Sequence, residues 1–287
     1  MKTPHPGRTW TILFGLGAGT AFILGAAVWH ALIQADPPGC NINDLECLFV
    51  PTRADIGIHL ISYALMTPLM AAMFFWFSVW RNQYSHLSAL TGSLSGIAIR
   101  DDRLDSFADK MGLRGKVRMI DSDDALSFCA FLFSPRIFVS RAVVNSLTDR
   151  ELEALLAHER YHLDNRDPLR IFLGRSLVSA LFFAPVLKDL FRWYLIRKEI
   201  AADQAAIALQ GQRAGIVGSL RKLLELDTEQ KSGLAITAGA TEELRYRIAY
   251  ILGRPEKERI ELSHLLVSSA VPVLSVLSIV LPRAVIH

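Results

Sequence analysis

Two histidines four residues apart are the part of this sequence best suited to chemistry. His158 and His162 lie in the segment His-Glu-Arg-Tyr-His, with Glu159 directly after the first histidine. On a helix, residues i and i+4 share one face, so both imidazole rings can point at one metal ion. Glu159 lies about 100° further round the helix, where its carboxylate can reach water without being a ligand. The spacing predicts a zinc site in which Glu159 is the general acid and base for hydrolysis.

A second acidic pair supplies the candidate for a third ligand. A catalytic zinc ion usually has three protein ligands and an open fourth position. Glu199 and Asp203 are again four residues apart and share a helical face. One carboxylate can bind the ion while the other accepts a hydrogen bond from the far nitrogen of a ligand histidine. Taken alone, such a pair is more typical of a solvated helix face; beside the histidine motif, Glu199 becomes the candidate third ligand.

The helix that carries the histidines has well-marked ends. Thr148, with Glu151 three residues later, is the signature of a capping box that begins a helix. The same helix should end near Asn165, because Pro168 disfavours helical geometry in the residue before it. Asp167 can cap the next helix, with Pro168 at its first position. One face of the predicted helix is apolar and should pack inward: Leu152, Leu155 and Leu156.

Around this helix the sequence predicts a small α+β unit. Apolar residues at helical spacing predict helices over residues 104–111, 216–226 and 242–252, and Gly112 suits a C-terminal cap. Short runs of strand-forming residues predict strands over 117–120, 128–133 and 137–139. The middle strand fits two roles equally well, as an edge that binds an extended peptide or as an ordinary core strand. A flexible stretch is expected between 230 and 240.

Three long segments predict helices that cross a membrane. The chain has 287 residues, 51% hydrophobic residues and a mean hydropathy of +0.29, which is high for a soluble protein. The segments without Asp, Glu, Lys or Arg are 10–33, 56–80 and 262–282. Each can cross roughly 30 Å of hydrocarbon as a helix. We expect a predominantly α-helical, multi-pass membrane protein whose first span is retained rather than cleaved as a signal peptide.

The distribution of charge orients these spans. Basic residues flank the first two spans on one side, whereas the loop over 34–55 holds four acidic residues and one arginine. The positive-inside rule then makes residues 81–261 cytoplasmic. We predict a membrane hairpin over 1–80, a cytoplasmic catalytic domain over 81–261, and a last span with a short tail over 262–287. The net charge of +3 is too small to indicate a nucleic-acid partner.

The segment between the histidine motif and the acidic pair limits the topology further. Residues 169–198 are apolar but interrupted by basic residues at 170, 175, 188, 192 and 197, with Pro185 in the middle, so a helical hairpin turning near 183–185 fits better than a span. If His162 and Glu199 bind one ion, an even number of membrane crossings must separate them. The hairpin satisfies this condition.

The three cysteines agree with this topology. Cys40 and Cys47 lie in the predicted outer loop, where they either form a disulfide or stay free. Cys129 lies in the cytoplasmic part, where a small buried apolar side chain is expected.

Several segments of the cytoplasmic region resemble the BlaR/MecR-type family of bacterial membrane zinc peptidases, which are gluzincins. The similar segments are 134–140, 151–162 with 166–168, 183–185 with 197–203, and 243–248. The resemblance implies that His158, His162 and Glu199 bind zinc and that Glu159 is the general acid and base. It also implies that Asp203 supports a ligand histidine. The fold implied for residues 81–261 is a small α+β gluzincin-type zinc peptidase domain.

The resemblance also carries expectations about function. It implies a membrane-bound zinc endopeptidase that cleaves a cytoplasmic or membrane-proximal protein in regulatory signalling, such as a repressor. The antibiotic sensors of this family carry a large penicillin-binding domain outside the cell after their last span. This sequence stops at His287, so a separate sensor protein is expected to supply the signal. HtpX-type quality-control peptidases share both motifs, and a non-catalytic membrane signalling protein with structural zinc is a further alternative.

Overall fold

The computed structural model describes residues 6–34, 70, 73–74, 76–82, 84–85, 98–230, 238–256 and 260–285. The described helices are α1 (Pro6–Gln34), α2 (Asp102–Lys110), α3 (Arg141–Ser146), α4 (Asp149–Asp164), α5 (Asp167–Ala180), α6 (Pro185–Gln210), α7 (Ala214–Gln230), α8 (Ala238–Ile251) and α9 (Leu262–Val285). The strands are β1 (Ala98–Ile99), β2 (Val117–Ile120), β3 (Ser127–Ala130) and β4 (Arg136–Ser140). The described chain is thus mostly helical with one small sheet, as predicted.

The four strands form one mixed sheet in the order β1-β2-β4-β3. β2 and β4 are parallel, with Val117 opposite Ile137, while β3 runs antiparallel to β4, with Ser127 opposite Val139. β3 therefore lies at an edge of the sheet. β1 was not predicted from the sequence, because two residues are too short for a periodic pattern.

The middle strand is shorter than predicted. The sequence favoured residues 128–133, but β3 ends at Ala130 because Phe131 has a φ of 74°. This left-handed conformation cannot continue a strand. The aromatic ring of Phe131 instead packs edge-on against Phe138, with 5.4 Å between ring centroids. The loop over 131–135 then leads into β4.

Alternation along the strands buries one face of the sheet against the helices. The shared core contains apolar side chains from β2, β4 and α4: Val117, Met119, Ile137, Val139, Leu152, Leu155 and Leu156. The three leucines are those expected on the buried face of α4. Each fully buried side chain of this kind favours folding by roughly 1.5–3 kcal/mol relative to an exposed one. The core therefore holds α4 firmly against the sheet.

α4 has the ends that the sequence predicted. Thr148 N donates to Glu151 Oε2 over 2.8 Å, and the Thr148 hydroxyl accepts from Glu151 N, which completes the capping box. Lys222 of α7 donates to the same Glu151 oxygen over 2.6 Å. α7 approaches α4 closely at Gly215, where an added Cβ would lie 3.1 Å from that of Ala154. The start of α4 is thus fixed by its own cap and by α7.

The remaining predicted helices are present with different bounds. α2 is followed by Gly112 with a φ of 68°, the left-handed geometry expected of a C-terminal cap. α7 and α8 begin earlier than predicted, at Ala214 and Ala238. The chain leaves helix at 181–184, between α5 and α6, where the sequence predicted a turn. Residues 231–237, within the stretch predicted to be flexible, lie outside the described residues.

The chain divides into two compact units. One contains Asn82–Gly174, Arg192–Glu258 and the first turn of α1; the other contains the rest of α1, Arg175–Phe191 and α9. Among the described helices, α1 is the one both long and apolar enough to cross a bilayer, over Pro6–Ala26 with a mean hydropathy of 1.5. The described apolar stretch of α9, Leu262–Leu274, is shorter. The span predicted over 56–80 and the pair Cys40 and Cys47 lie largely or wholly outside the described residues, so the multi-pass topology stays a prediction.

Replacing Thr148 with alanine should lower the free energy of unfolding by about 0.5–2 kcal/mol, because the first turn of α4 loses its side-chain cap. Thr148→Ser keeps the hydroxyl and should recover most of the loss. Denaturant unfolding of the purified protein in detergent measures both effects. Equal stability of the alanine variant and the wild type would contradict this role of the cap.

Candidate metal centre

The residues predicted to form a metal site come together between α4 and α6. His158, Glu159 and His162 lie on the buried side of α4, and Glu199 and Asp203 lie on α6; each is less than 9% exposed. His158 Nε2 lies 3.1 Å from His162 Nε2 and 3.2 Å from Glu199 Oε2. His162 Nε2 lies 3.5 Å from Glu199 Oε1. One donor atom from each of these three residues thus surrounds a single small volume.

These distances fit a tetrahedral ion. With zinc–ligand bonds of about 2.0–2.1 Å, neighbouring ligand atoms of a tetrahedral site lie about 3.3–3.4 Å apart. In the cluster the two Nε2 atoms lie 3.1 Å apart, and the two Glu199 oxygens lie 3.2 Å from His158 Nε2 and 3.5 Å from His162 Nε2, respectively. Among the described residues this is the group of His, Cys, Asp and Glu side chains with donor atoms close enough to share a metal ion. No rearrangement of the backbone is needed for the three to bind zinc together.

The tautomers of the histidines are fixed by two carboxylates. Asp203 Oδ1 lies 2.9 Å from His158 Nδ1, and Asp167 Oδ2 lies 2.7 Å from His162 Nδ1. Because an ionised carboxylate only accepts hydrogen bonds, each Nδ1 carries a proton and donates it. In the neutral rings the two Nε2 lone pairs then face each other, an arrangement that a bound cation stabilises. Carboxylate–histidine pairs of this kind are usual in zinc sites.

The charges around the cluster also favour a cation. Within the described part of the chain, the cluster contains more carboxylates than permanent cations. The carboxylates are Glu159, Asp167, Glu199 and Asp203, and the cations are Lys198 and Arg247. Burial lowers the pKa of His162, but Glu199 and then Asp167 outweigh it and raise the pKa to about 9. Burial raises the pKa of Glu199, but Lys198 and the histidines hold it well below its ordinary value. The cluster therefore binds positive charge strongly.

Arg247 of α8 fixes the carboxylate behind His158. Its Nε and Nη2 donate to the two oxygens of Asp203 over 2.8 and 2.7 Å. Burial raises the pKa of Asp203, but His158 and Arg247 outweigh it and keep the carboxylate ionised. Arg247 Nη1 also lies 3.6 Å from Glu199 Oε2. A bidentate guanidinium sets both the position and the plane of the carboxylate, so α8 helps to orient His158.

Tyr194 and Lys198 support the other side of the cluster. The Tyr194 hydroxyl donates to Asp167 Oδ1 over 3.1 Å, and the ring is fully buried. Burial, and then the charge of Asp167, raise the pKa of Tyr194, so it remains a neutral donor. The Lys198 ammonium donates to Glu199 Oε1. Together with Asp203, four residues of α6 thus hold or form the ligand set.

A cleft with a cavity volume of about 320 Å³ opens beside the cluster. The edge strand β3 contributes Ser127, Phe128 and Cys129 to its wall. Burial, and then the charge of Glu159, raise the pKa of the Cys129 thiol to about 12, so it is a neutral, mostly apolar group, as predicted. Apolar side chains from α4, α5 and α7 line much of the rest: Leu155, Ile171, Ile216, Leu220 and Leu223. The cleft beside the cluster is thus bounded by an edge strand and by apolar side chains.

Sequence reasoning missed several residues that act on the cluster. Asp167 was assigned only to a helix cap, although it lies five residues after His162 on the side of its Nδ1. Ser127 and Tyr194 carried no signal, because their contacts depend on how α6 and β3 fold against α4. Lys198 lay in a segment that resembled the family, but no role was assigned to it. Arg247 lay in a segment that resembled the family, but nothing local gave it a role. The four predicted residues His158, Glu159, His162 and Glu199 all line one cleft.

Comparison with known protein families gives a match. Residues 52–251, well over half of the chain, match the family described as BlaR1 peptidase M56. The match covers the whole cluster, from Ser127 to Arg247. No curated protein matches the sequence. The relation to HtpX-type peptidases stays a prediction. The family expected from the motifs is confirmed, because this chain belongs to the BlaR1 peptidase M56 family.

Proposed function

We propose that this chain is a membrane-bound zinc metalloendopeptidase that cleaves a cytoplasmic or membrane-proximal protein. Membership of a peptidase family implies hydrolysis of peptide bonds. The observation that carries the proposal is the ligand geometry: one donor atom from each of His158, His162 and Glu199 lies within 4.8 Å of the others, and the Glu159 carboxylate lines the same cleft. A purely structural zinc site is normally closed by a fourth protein ligand and needs no such base. This favours catalysis over a structural role.

The proposed roles follow from the contacts of each side chain. His158, His162 and Glu199 would hold zinc, which supplies Lewis-acid chemistry that polarises a carbonyl and makes water more acidic. Glu159 accepts the proton of the attacking water and passes it to the departing amine. Asp203 and Asp167 keep the two histidines in the tautomer that leaves Nε2 free. Burial of the whole cluster strengthens these interactions by excluding solvent.

The edge strand β3 supports binding of an extended substrate. In the described structure β3 pairs with β4 on one side, which leaves the other side of its backbone available for pairing. An extended peptide that adds to this edge gains backbone hydrogen bonds and passes the Glu159 side of the cleft. Binding through the backbone suits an endopeptidase, because it depends little on sequence and not on a free chain end.

The membrane location rests on the family and on α1. α1 exposes large apolar side chains around its surface, including Ile12, Leu16 and Phe22, as a lipid-facing helix does. The charge distribution in the sequence places the catalytic unit on the cytoplasmic side. A multi-pass arrangement with spans near 10–33, 56–80 and 262–282 completes the proposal.

The resemblance to the BlaR/MecR-type family favours a regulatory substrate, such as a repressor, over damaged proteins. Comparing the proteins cleaved in cells that express the wild type or the Glu159→Gln form would separate the two. One or a few specific cleavages support a regulatory role. Many unrelated membrane proteins among the substrates would support quality control instead.

Glu159→Gln should reduce cleavage of fluorescein-labelled casein by about a thousandfold or more, because the amide cannot accept the proton. Zinc content should stay near one ion per chain by mass spectrometry, since Glu159 is not among the proposed ligands. Glu225→Gln removes a charge from the exposed face of α7 and should change neither quantity. Cleavage by the Glu159→Gln form at the wild-type rate would exclude the proposed mechanism.

Asp167→Asn should weaken zinc binding about 10- to 100-fold, because the amide holds the His162 imidazole less firmly and accepts a weaker hydrogen bond. Competition with a fluorescent zinc chelator measures the dissociation constant. The matched control is Asp164→Asn, on the exposed face of α4, where Asp164 forms an ion pair with Arg160. Equal zinc affinity in the two variants would show that Asp167 does not support a ligand.

A further inference from the structure

The Glu159 carboxylate depends on one hydrogen bond for its orientation. Ser127 Oγ donates to Glu159 Oε1 over 2.8 Å. Within the part of the chain that the structure describes, this is the hydrogen bond that reaches Glu159, which is only 5% exposed. The other acids of the cluster are held differently: Asp167 by His162 and Tyr194, and Asp203 by His158 and Arg247. Glu159 is therefore the acid most easily displaced.

Ser127 is itself held firmly in the sheet. Ser140 N donates to Leu126 O over 2.8 Å, and the Ser140 hydroxyl accepts from Leu126 N over 3.2 Å. Ser127 lies opposite Val139 in the β3–β4 ladder, and Val139 is fully buried in the core. The start of β3 is thus fixed to β4 by backbone and side chain. A hydroxyl on this strand can hold a carboxylate on α4 in a defined place.

The electrostatics of the cluster show why the position of the Glu159 carboxylate must be fixed. A divalent ion between His158, His162 and Glu199 attracts any nearby free carboxylate, and the attraction is strong where solvent is excluded. Glu159 follows His158 directly in α4 and lines the same cleft as the three ligands, although it is not a ligand itself. A carboxylate that bound the ion would fill the position that catalysis leaves open. It would also no longer accept a proton from water.

We infer that Ser127 is a positioning residue for the reaction, whose hydroxyl holds Glu159 at the edge strand and off the metal ion. The inference rests on the proposed function, because it gives Ser127 a role only through the general base. Ser127 also begins the strand that would bind the substrate. One residue thus fixes the base relative to the strand on which the scissile bond would lie.

The experiment compares Ser127→Ala with Ser127→Thr in the full-length protein in detergent. The probe is a fluorogenic peptide that spans a casein bond cleaved by the wild type. For Ser127→Ala, kcat should fall about 10- to 100-fold, the loss of one hydrogen bond to a charged group. KM should stay within about twofold, because the strand backbone is unchanged. Ser127→Thr keeps the hydroxyl and should return kcat to within about threefold of the wild type.

Zinc affinity provides a readout that does not depend on turnover. Ser127→Ala should bind zinc at least as tightly as the wild type, because the released carboxylate can only add to the ligands. General damage to the site would weaken zinc binding instead. Ser146→Ala removes a hydroxyl whose hydrogen bond stays within α3, to Ala142 O, and should alter neither kcat nor zinc affinity.

Three results would overturn the inference: an unchanged kcat in Ser127→Ala, weaker zinc binding in that variant, or no recovery in Ser127→Thr. The proposed function fails separately, if Glu159→Gln still cleaves the peptide. Loss of activity in Glu159→Gln with full activity in Ser127→Ala would leave the peptidase mechanism intact and remove only the role of Ser127.

Discussion

The 3.1 Å separation of the two histidine Nε2 atoms is the constraint on which the rest of the site depends. Carboxylates on the far nitrogens leave both Nε2 atoms directed at the same volume, where their lone pairs repel each other unless a proton or a metal ion lies between them. Glu199 adds a third donor to the same volume. Every other feature of the cluster either keeps these three atoms in place or balances their charge. The affinity for a metal ion is thus built into the fold rather than created by the ion.

Holding that arrangement requires elements far apart in the sequence. α4 supplies both histidines, and its first turn is capped by Thr148 and tied to α7 through Lys222. α6 supplies Glu199 and Asp203, and α8 supplies Arg247 to fix Asp203. β3 supplies the hydroxyl that holds Glu159. Loss of any one of these polar contacts loosens a ligand or the base but leaves the apolar side chains of the core unchanged.

The sequence predicted the ligands but not the residues that orient them, and the reason is physical. Ligand spacing on a helix is a local property, so His158, Glu159 and His162 were recognisable from five consecutive residues, and the ends of α4 from its cap and Pro168. The contact between Ser127 and Glu159 depends on the register of β3 against β4. The contact between Arg247 and Asp203 depends on the packing of α8. β3 was predicted too long because no local pattern signals the left-handed Phe131. Only the folded chain brings these residues to the ligands.

The geometry of the cluster also limits how the chain between its two halves can meet a membrane. His162 and Glu199 approach within 3.5 Å, so the chain between them crosses a bilayer an even number of times or not at all. α5 has 14 residues and spans about 21 Å at the rise of an α-helix, well short of roughly 30 Å of hydrocarbon. α6 reaches Glu199 after a similar length, and it carries Lys188, Arg192 and Arg197 on the way. Two full crossings do not fit in this length. A segment of this length that entered the membrane surface and returned would keep both halves of the metal centre on one side, in agreement with the hairpin predicted from the sequence.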